Sequence, residues 1–343
     1  MKIVLTGGGT AGHIIPNIAL IDDLQKHFDE IFYIGSGKQL EKDLILPYNI
    51  KYFSIETPKL VRKFTFKNMV IPLKLITSIN DCKRILKDLS PDVVFSKGGY
   101  VSLPVVVAAH KLGIKVLAHE SDLTMGLANK ISKWYCNKIC TTFDSTAKGK
   151  KFVCTGAPIR KEFKKFDAAP AFKNKLPTIL FVGGSQGAAA INKFILENLD
   201  TLTLKYNIIH LCGKGKSSGA KHAHYIEIEF SNDMPTLINQ CDVVFTRGGS
   251  NALFEILAVN KPMIIYPLSK KESRGDQIEN AKYFEQRNLG AYIQNLDINT
   301  LIDVIDNSIK NKTRIENHQK TFYKAGNKNI LNEIISLARN WIN

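Results

Sequence analysis

No stretch of this 343-residue chain approaches the ~18 consecutive apolar residues needed to span a bilayer, which excludes a membrane-crossing helix. Its opening, MKIVLT, runs straight into a strand-like pattern without the charged, apolar and small-residue regions of a signal peptide, so the chain is expected to stay in the cytoplasm. Cysteine is sparse. Of the six, at 82, 136, 140, 154, 212 and 241, only Cys136 and Cys140 lie close together. No second pair completes a zinc set, and reduced, mostly buried thiols are the expectation. There is no Asp-x-Asp, no His/Asp cluster with metal-ligand spacing and no G-x-x-x-x-G-K-[ST], so a bound metal, a P-loop and a resident cofactor are not expected. Acidic residues are also few: 31 Asp and Glu stand against 47 Lys and Arg, a net charge of +16. That balance suits an anionic partner or simply a solvated basic surface. No recognisable nucleic-acid module accompanies it, so nucleic acid is not an expected partner.

What remains is an ordinary globular composition, 44% hydrophobic and 23% charged, long enough for two domains. Apolar runs at Lys2–Thr6, Ile31–Ile34, Val93–Ser96, Lys115–Ala118, Thr178–Val182, Asn207–Leu211, Val243–Thr246 and Met263–Tyr266 read as strands. Segments of helical length and period separate most of them, the pattern of an α/β chain whose parallel sheets are covered on both faces. A degenerate repeat runs through the chain. KIVLTGGGTAG is matched by TILFVGGSQG, and PDVVFSKGGY by CDVVFTRGGS. The repeat predicts two similarly built α/β domains, with a seam at Cys154–Arg160 or within Lys161–Pro177. Ligands of such sheets sit at the carboxyl ends of the strands, so both sets of glycine loops are expected to open into a cleft between the domains.

Gly7, Gly9 and Gly12 satisfy G-x-G-x-x-G after a strand, which lets backbone amides approach phosphate. A dinucleotide site also needs an acid at the end of the second strand, and there the sequence reads Gly35-Ser36-Gly37. His13 falls in the first helical turn, where the helix N-terminus disfavours imidazolium. It is either a general base or a capping and packing histidine. In Gly183-Gly184-Ser185-Gln186-Gly187, Ser185 is placed to donate to a phosphate or to cap a tight turn. Glu255, in the helix after TRGGS, either holds ribose hydroxyls or complements a helix dipole. Arg160 pairs with a diphosphate or is a linker charge, and Gln277 meets sugar hydroxyls or lies on a helix surface. Pro58–Ile76 carries Lys59, Arg62, Lys63, Lys67 and Lys74 but no acid, interleaved with Phe64, Phe66, Met69 and other apolar residues. That mixture suits contact with an anionic bilayer surface, or a core helix with solvated lysines.

In order, the chain carries GGGTAGHIIPNIAL, SKGGYVSLPVVVAAHKLGI, HES with GLANKI, GAPIR, GGSQGA, TRGGSNALFEILA and RGDQIENA. This ordered set resembles the MurG family of peptidoglycan N-acetylglucosaminyltransferases. The resemblance implies the GT-B fold, two Rossmann-like parallel-sheet domains facing across a cleft. The expected divisions are an acceptor and membrane-binding domain over 1–156, a UDP-GlcNAc-binding domain over 157–328, and a C-terminal helix over 329–343 able to pack back on the first. It also implies transfer of GlcNAc from UDP-GlcNAc to the C4 hydroxyl of the muramyl sugar of lipid I, with inversion, giving lipid II. The protein would then be peripheral, on the cytoplasmic face of the plasma membrane.

Residue by residue, the resemblance makes His13 the catalytic base, with Glu120, Asp122 or water as substitutes. It assigns Thr10, Ala11, Gly12, Asn129, Arg160, Ser185, Gln186, Gly187, Glu255 and Gln277 to UDP-GlcNAc. Gly9, Gly98, Gly99, Tyr100 and Asp122 go to the acceptor and its diphosphate, and Phe64, Phe66, Lys67 and Met69 to the membrane. One departure stands out: where the family often has His-Glu-Gln-Asn, this chain has His119-Glu120-Ser121-Asp122. Rival readings are another GT-B enzyme (a glycolipid synthase or a UDP-GlcNAc epimerase) and, in a different class, a nucleotide-binding scaffold without catalysis.

Overall fold

The computed structural model describes residues 1–58, 71–184, 187–269 and 274–339. Phe64, Phe66, Lys67, Met69, Ser185 and Gln186 lie outside the described residues. The chain divides into two compact units, Met1–Arg160 with Ala325–Asn343, and Lys161–Lys324. These divisions fall a few residues from the 156/157 and 328/329 positions read from sequence.

In the first unit, strands β1 (Lys2–Thr6), β2 (Glu30–Gly35), β3 (Lys51–Ser54), β4 (Val93–Ser96), β5 (Lys115–Glu120), β6 (Lys138–Thr141) and β7 (Phe152–Cys154) form one parallel sheet. Its order is β3-β2-β1-β4-β5-β6-β7. In the second, β8 (Thr178–Val182), β9 (Asn207–Leu211), β10 (Tyr225–Ile228), β11 (Val243–Thr246), β12 (Met263–Ile265) and β13 (Ala291–Tyr292) pair in the order β10-β9-β8-β11-β12-β13, again parallel throughout. The second order reproduces the first with its last strand removed, so the sequence repeat is a repeat of topology. The shared aspartate of PDVV and CDVV has the same task in both units. Asp92 accepts the Lys2 N–H at 2.6 Å, and Asp242 accepts the Thr178 N–H at 2.9 Å. Each thereby locks the two central strands in register.

Successive side chains of a strand point to opposite faces, so an all-apolar strand feeds two cores. On one face of the first sheet, Ile3, Leu5, Val93, Phe95 and Leu117 pack with Ile14, Ile18 and Ile21 of helix α1 (Ala11–Leu24). Ile330, Ile334, Leu337 and Ala338 of the C-terminal helix, Asn327–Arg339, are buried in the same cluster. On the other face, Val4, Ile34, Val94 and Val116 meet Cys82 and Leu86 from the helix Ile71–Leu89 and Val105, Val106 and Ala109 from the helix Ser102–Lys111. The sheet of the second unit buries Ile179, Phe181, Ile208, Val243, Phe245 and Ile264 in the same way. All six cysteines are free, and Cys154 is the exposed one. Burial pushes the thiols of Cys82, Cys136, Cys140 and Cys241 up to about 12, which suits packing rather than nucleophilic attack.

Because Ile334 is fully buried against the first sheet, Ile334→Ala should cost about 2–5 kcal/mol of stability. A lower urea midpoint reports this, and an unchanged midpoint would mean that the helix does not complete the core.

Candidate functional site

In each unit the strand order reverses between two adjacent central strands, β1 and β4 in the first, β8 and β11 in the second. Chain connections leave such a switch point in opposite directions, which opens a crevice at the strand carboxyl ends. Both glycine loops of each repeat emerge there.

In the first unit, the loop after β1 leads through Gly7–Gly9 and the extended, exposed Thr10 into α1, and the His13 N–H donates to Thr10 O at 3.1 Å. Ala11 and Gly12 form its first turn. The loop after β4 brings Gly98, Gly99 and Tyr100 alongside. Gly99 has φ +85°, and a Cβ there would stand 2.5 Å from Gly8 O and 3.0 Å from His13 Cδ2. The carbon edge of the His13 imidazole therefore rests against Gly99, and Tyr100 packs over Gly9 in the same way. His13, Gly9, Gly98, Gly99 and Tyr100 are thus brought together, with Asn129 beside Gly98.

Buried side chains hold this loop pair. Tyr33 Oη donates to Gly7 O at 2.6 Å, and Asn17 Nδ2 donates to Thr6 O at 3.3 Å. Glu41, on the helix Gln39–Ile45, is buried and accepts from Gly9 N (2.8 Å), Ser36 Oγ (2.7 Å), Ser36 N (2.6 Å) and Tyr52 Oη (2.9 Å). The acid missing at the end of the second strand is thus supplied from the following helix, which sequence reading missed because QLEKDLI looks like an ordinary amphipathic turn. Four donors fill its acceptor sites, leaving no capacity for a ribose. The contact also commits the Gly9 N–H to Glu41, so Gly9 can serve an acceptor through its shape and not through that amide.

After β5, Glu120 is buried and accepts from Asp122 N (3.1 Å), Gly126 N (2.9 Å) and Asn129 Nδ2 (3.0 Å). Its carboxylate closes the loop over 121–126 and is poorly placed to take a substrate proton. Asp122 is half-buried in that loop. Lys97, between β4 and Gly98, is 2% exposed, and its Nζ lies 2.9 Å from His119 Nδ1 and bonds to Ser121 Oγ. His119 Nε2 lies 3.0 Å from Gly156 O. Burial, and then the neighbouring ammonium, hold His119 well below its ordinary value. A neutral ring fits both contacts, accepting from Lys97 and donating to Gly156. Burial pulls Lys97 down to about 8, with the Glu120 and Asp122 carboxylates acting to raise it.

In the second unit, Gly184 (φ +90°) turns so that a Cβ would stand 2.7 Å from Arg247 Nη2. The guanidinium of the second loop thus lies on the backbone of the first. Gly187 N closes the turn onto Gly184 O at 2.9 Å, ahead of the helix Ala189–Glu197. Glu255 is half-buried on the helix Ser250–Ala258, as its sixth residue. Gln277 opens the helix Asp276–Gln286, where its Oε1 accepts the Leu268 N–H at 3.0 Å and Asn280 Nδ2 donates to Gly248 O at 3.0 Å. Arg160 is the last residue of the first unit's main segment. Among the described residues, no three His, Cys, Asp or Glu side chains cluster so as to hold a metal.

Residues 3–141 match the glycosyltransferase family 28 N-terminal domain, and residues 178–334 the family's C-terminal domain. A Clostridium botulinum (strain Loch Maree / Type A3) protein named UDP-N-acetylglucosamine–N-acetylmuramyl-(pentapeptide) pyrophosphoryl-undecaprenol N-acetylglucosamine transferase is 42% identical over 96% of this chain and 97% of its own. The Clostridium tetani protein of the same name is 42% identical over 97% of each. The chain belongs to the MurG family of glycosyltransferases. Membership makes it a hexosyltransferase with the GT-B fold. Among solved structures, Acinetobacter baumannii MurG superposes with a TM-score of 0.77 at 22% identity, covering 98% of this chain and 99% of that one. The calicheamicin glycosyltransferase CalG4 superposes at 0.73 and 11% identity, covering 98% of each chain. At such identities these two likenesses speak for the fold alone.

Within this MurG-family frame, Glu41→Gln should place an amide NH2 against the Gly9 or Ser36 N–H. Two donors then face each other, which costs about 1–3 kcal/mol. Amide hydrogen exchange at 8–12 and 35–37 is expected to accelerate. Unchanged exchange would show that the carboxylate does not hold the loops.

Proposed function

We propose that this chain transfers N-acetylglucosamine from UDP-N-acetylglucosamine to the C4 hydroxyl of the muramyl sugar in undecaprenyl-pyrophosphoryl-N-acetylmuramyl-pentapeptide (lipid I), inverting the anomeric centre and forming lipid II. The observation that carries this reading is the 42% identity, over nearly the full length of both chains, to proteins named for that donor and acceptor.

The first unit takes the acceptor. His13, half-buried in the first turn of α1, removes the proton from the attacking hydroxyl. Thr10, Ala11, Gly12 and Asn129 border the reacting sugar, while Gly9, Gly98, Gly99, Tyr100 and Asp122 shape the acceptor side. The second unit takes the donor. Glu255 receives the ribose hydroxyls, Gln277 the GlcNAc hydroxyls through its Nε2, and Ser185, Gln186 and Gly187 the diphosphate, to which Arg160, at the end of the first unit's main segment, is also assigned. As the glycosidic bond breaks, negative charge grows on the β-phosphate. Backbone amides at the start of the helix Ala189–Glu197 and the Arg160 guanidinium stabilise it there.

The acceptor's lipid calls for a peripheral protein at the cytoplasmic membrane face, and exposed apolar residues beside lysines support that reading. Leu73 is 68% exposed next to Lys74, and Trp134 is 72% exposed with the Lys133 ammonium 5.0 Å from its ring centroid. Among the described residues, no helix is long and apolar enough to cross a membrane. Phe64, Phe66, Lys67 and Met69 are assigned to the same contact.

Labelled UDP-GlcNAc incubated with lipid I, and separately with water alone, should give labelled lipid II and no free sugar. An epimerised nucleotide sugar or hydrolysis without acceptor would overturn the transferase reading. With lipid I, His13→Ala should lower kcat about 10²–10⁴-fold and leave donor affinity intact, whereas a near-normal kcat removes His13 from the base role. The pure protein should be retained by anionic liposomes more than by DNA, and Trp134→Ala should weaken that retention.

A further inference from the structure

Lys97 and Arg247 occupy the same position of the repeat, SKGG against TRGG, yet their heads go to different places. Arg247 is half-exposed and lies on the Gly184 turn. Lys97 is buried and turned sideways, to His119 Nδ1 and Ser121 Oγ on the next strand and its loop. A buried ammonium with its protons given to neighbouring acceptors is no ligand for a substrate phosphate, but it fixes whatever those acceptors belong to.

We propose that Lys97 is the positioning residue of the acceptor side, clamping the 121–126 loop to the Gly98–Gly99 turn. This inference rests on the acceptor reading given above. Its backbone begins the turn whose Gly99 supports the His13 ring, and its side chain grips Ser121. From Ser121 the loop continues through Asp122 to Gly126, and both of their N–H groups are collected by Glu120. Asn129, bonded to the same carboxylate, closes the circuit, since its amide lies 3.0 Å from where a Gly98 Cβ would stand. The departure at Ser121 acquires a physical meaning: a small hydroxyl supplies the lone pair that the ammonium needs, within a space already filled by the lysine.

The test compares the full-length protein with Ser121→Ala, Lys97→Met and the double variant. Melting temperature, KM for lipid I, KM for UDP-GlcNAc and amide exchange over 120–130 are measured for each. Ser121→Ala removes the acceptor atom without touching the buried charge, so it should fold even if Lys97→Met does not. The expected result is a lipid I KM raised about tenfold, the worth of one charge-assisted hydrogen bond, with the donor KM unchanged and faster exchange at 122 and 126. Lys97→Met should do the same, and the double variant should be no worse than Lys97→Met alone, because the two residues act through one bond. Equal changes in both KM values, an unaltered lipid I KM, fully additive effects or unaltered loop exchange would each overturn the proposal. Failure of the wild-type protein to glycosylate lipid I would instead overturn the functional reading, and loop exchange in Ser121→Ala would still decide whether Lys97 holds the loop.

Discussion

Close approach of two backbone turns at a strand-order reversal is the constraint on which the rest of each unit depends. A parallel sheet gathers its strand ends on one side, and only at the reversal do neighbouring connections part and leave room for a ligand. For two turns to meet there, their Cβ atoms must be absent where they face each other. Gly99 against Gly8 and His13, and Gly184 against Arg247, satisfy this. The polar groups exposed by such turns then need partners. Tyr33, Asn17 and Glu41 supply them in the first unit, and Asn280, donating to Gly248 O, in the second. A buried polar scaffold of this kind is rigid only when every member is satisfied, and the four donors on Glu41 are a local instance.

The repeat sets one scaffold twice in the chain. Strand order, the central aspartate clamp and the paired glycine turns are common to both units. The difference lies in what surrounds the turns. In the second unit an arginine lies along the glycine backbone, the arrangement suited to a diphosphate, whose planar, bidentate recognition favours guanidinium. In the first, the equivalent lysine is consumed internally and a histidine stands at the helix entrance. The two units thus share a backbone frame and differ in the side chains that stand around it.

Most of the central sheet was legible because its strands are buried on both faces and therefore read as unbroken apolar runs. Lys2–Thr6, Val93–Ser96, Thr178–Val182, Asn207–Leu211 and Val243–Thr246 are strands over the residues the pattern marks. Lys51–Ser54, Lys138–Thr141, Phe152–Cys154, Tyr225–Ile228 and Ala291–Tyr292 escaped it. All but Lys138–Thr141 are edge strands, short and half-exposed, with polar residues that blur the period, while Lys138–Thr141 is an interior strand of only four residues, KICT, too short to mark a run. The glycine turns were legible for a similar reason, since backbone geometry restricts what can stand there. Glu41 and the partners of Lys97 were not. Their contacts cross from one strand or helix to another, and nothing in local spacing distinguishes a saturated buried carboxylate from a solvated one.

The choice of proton acceptor illustrates how satisfied hydrogen bonds narrow function. Four groups with suitable chemistry gather near the first switch point: His13, His119, Glu120 and Asp122. Glu120 has the loop amides and Asn129 on its oxygens, and drawing it away to a substrate would release them. His119 is fully buried between an ammonium and a backbone carbonyl. Adding a proton there would set two cations side by side and break the bond from Lys97. His13 and Asp122 are half-exposed, and His13 stands on a helix entrance shaped by glycine. His119 and Glu120 are thereby committed to holding the turns and the loop around them.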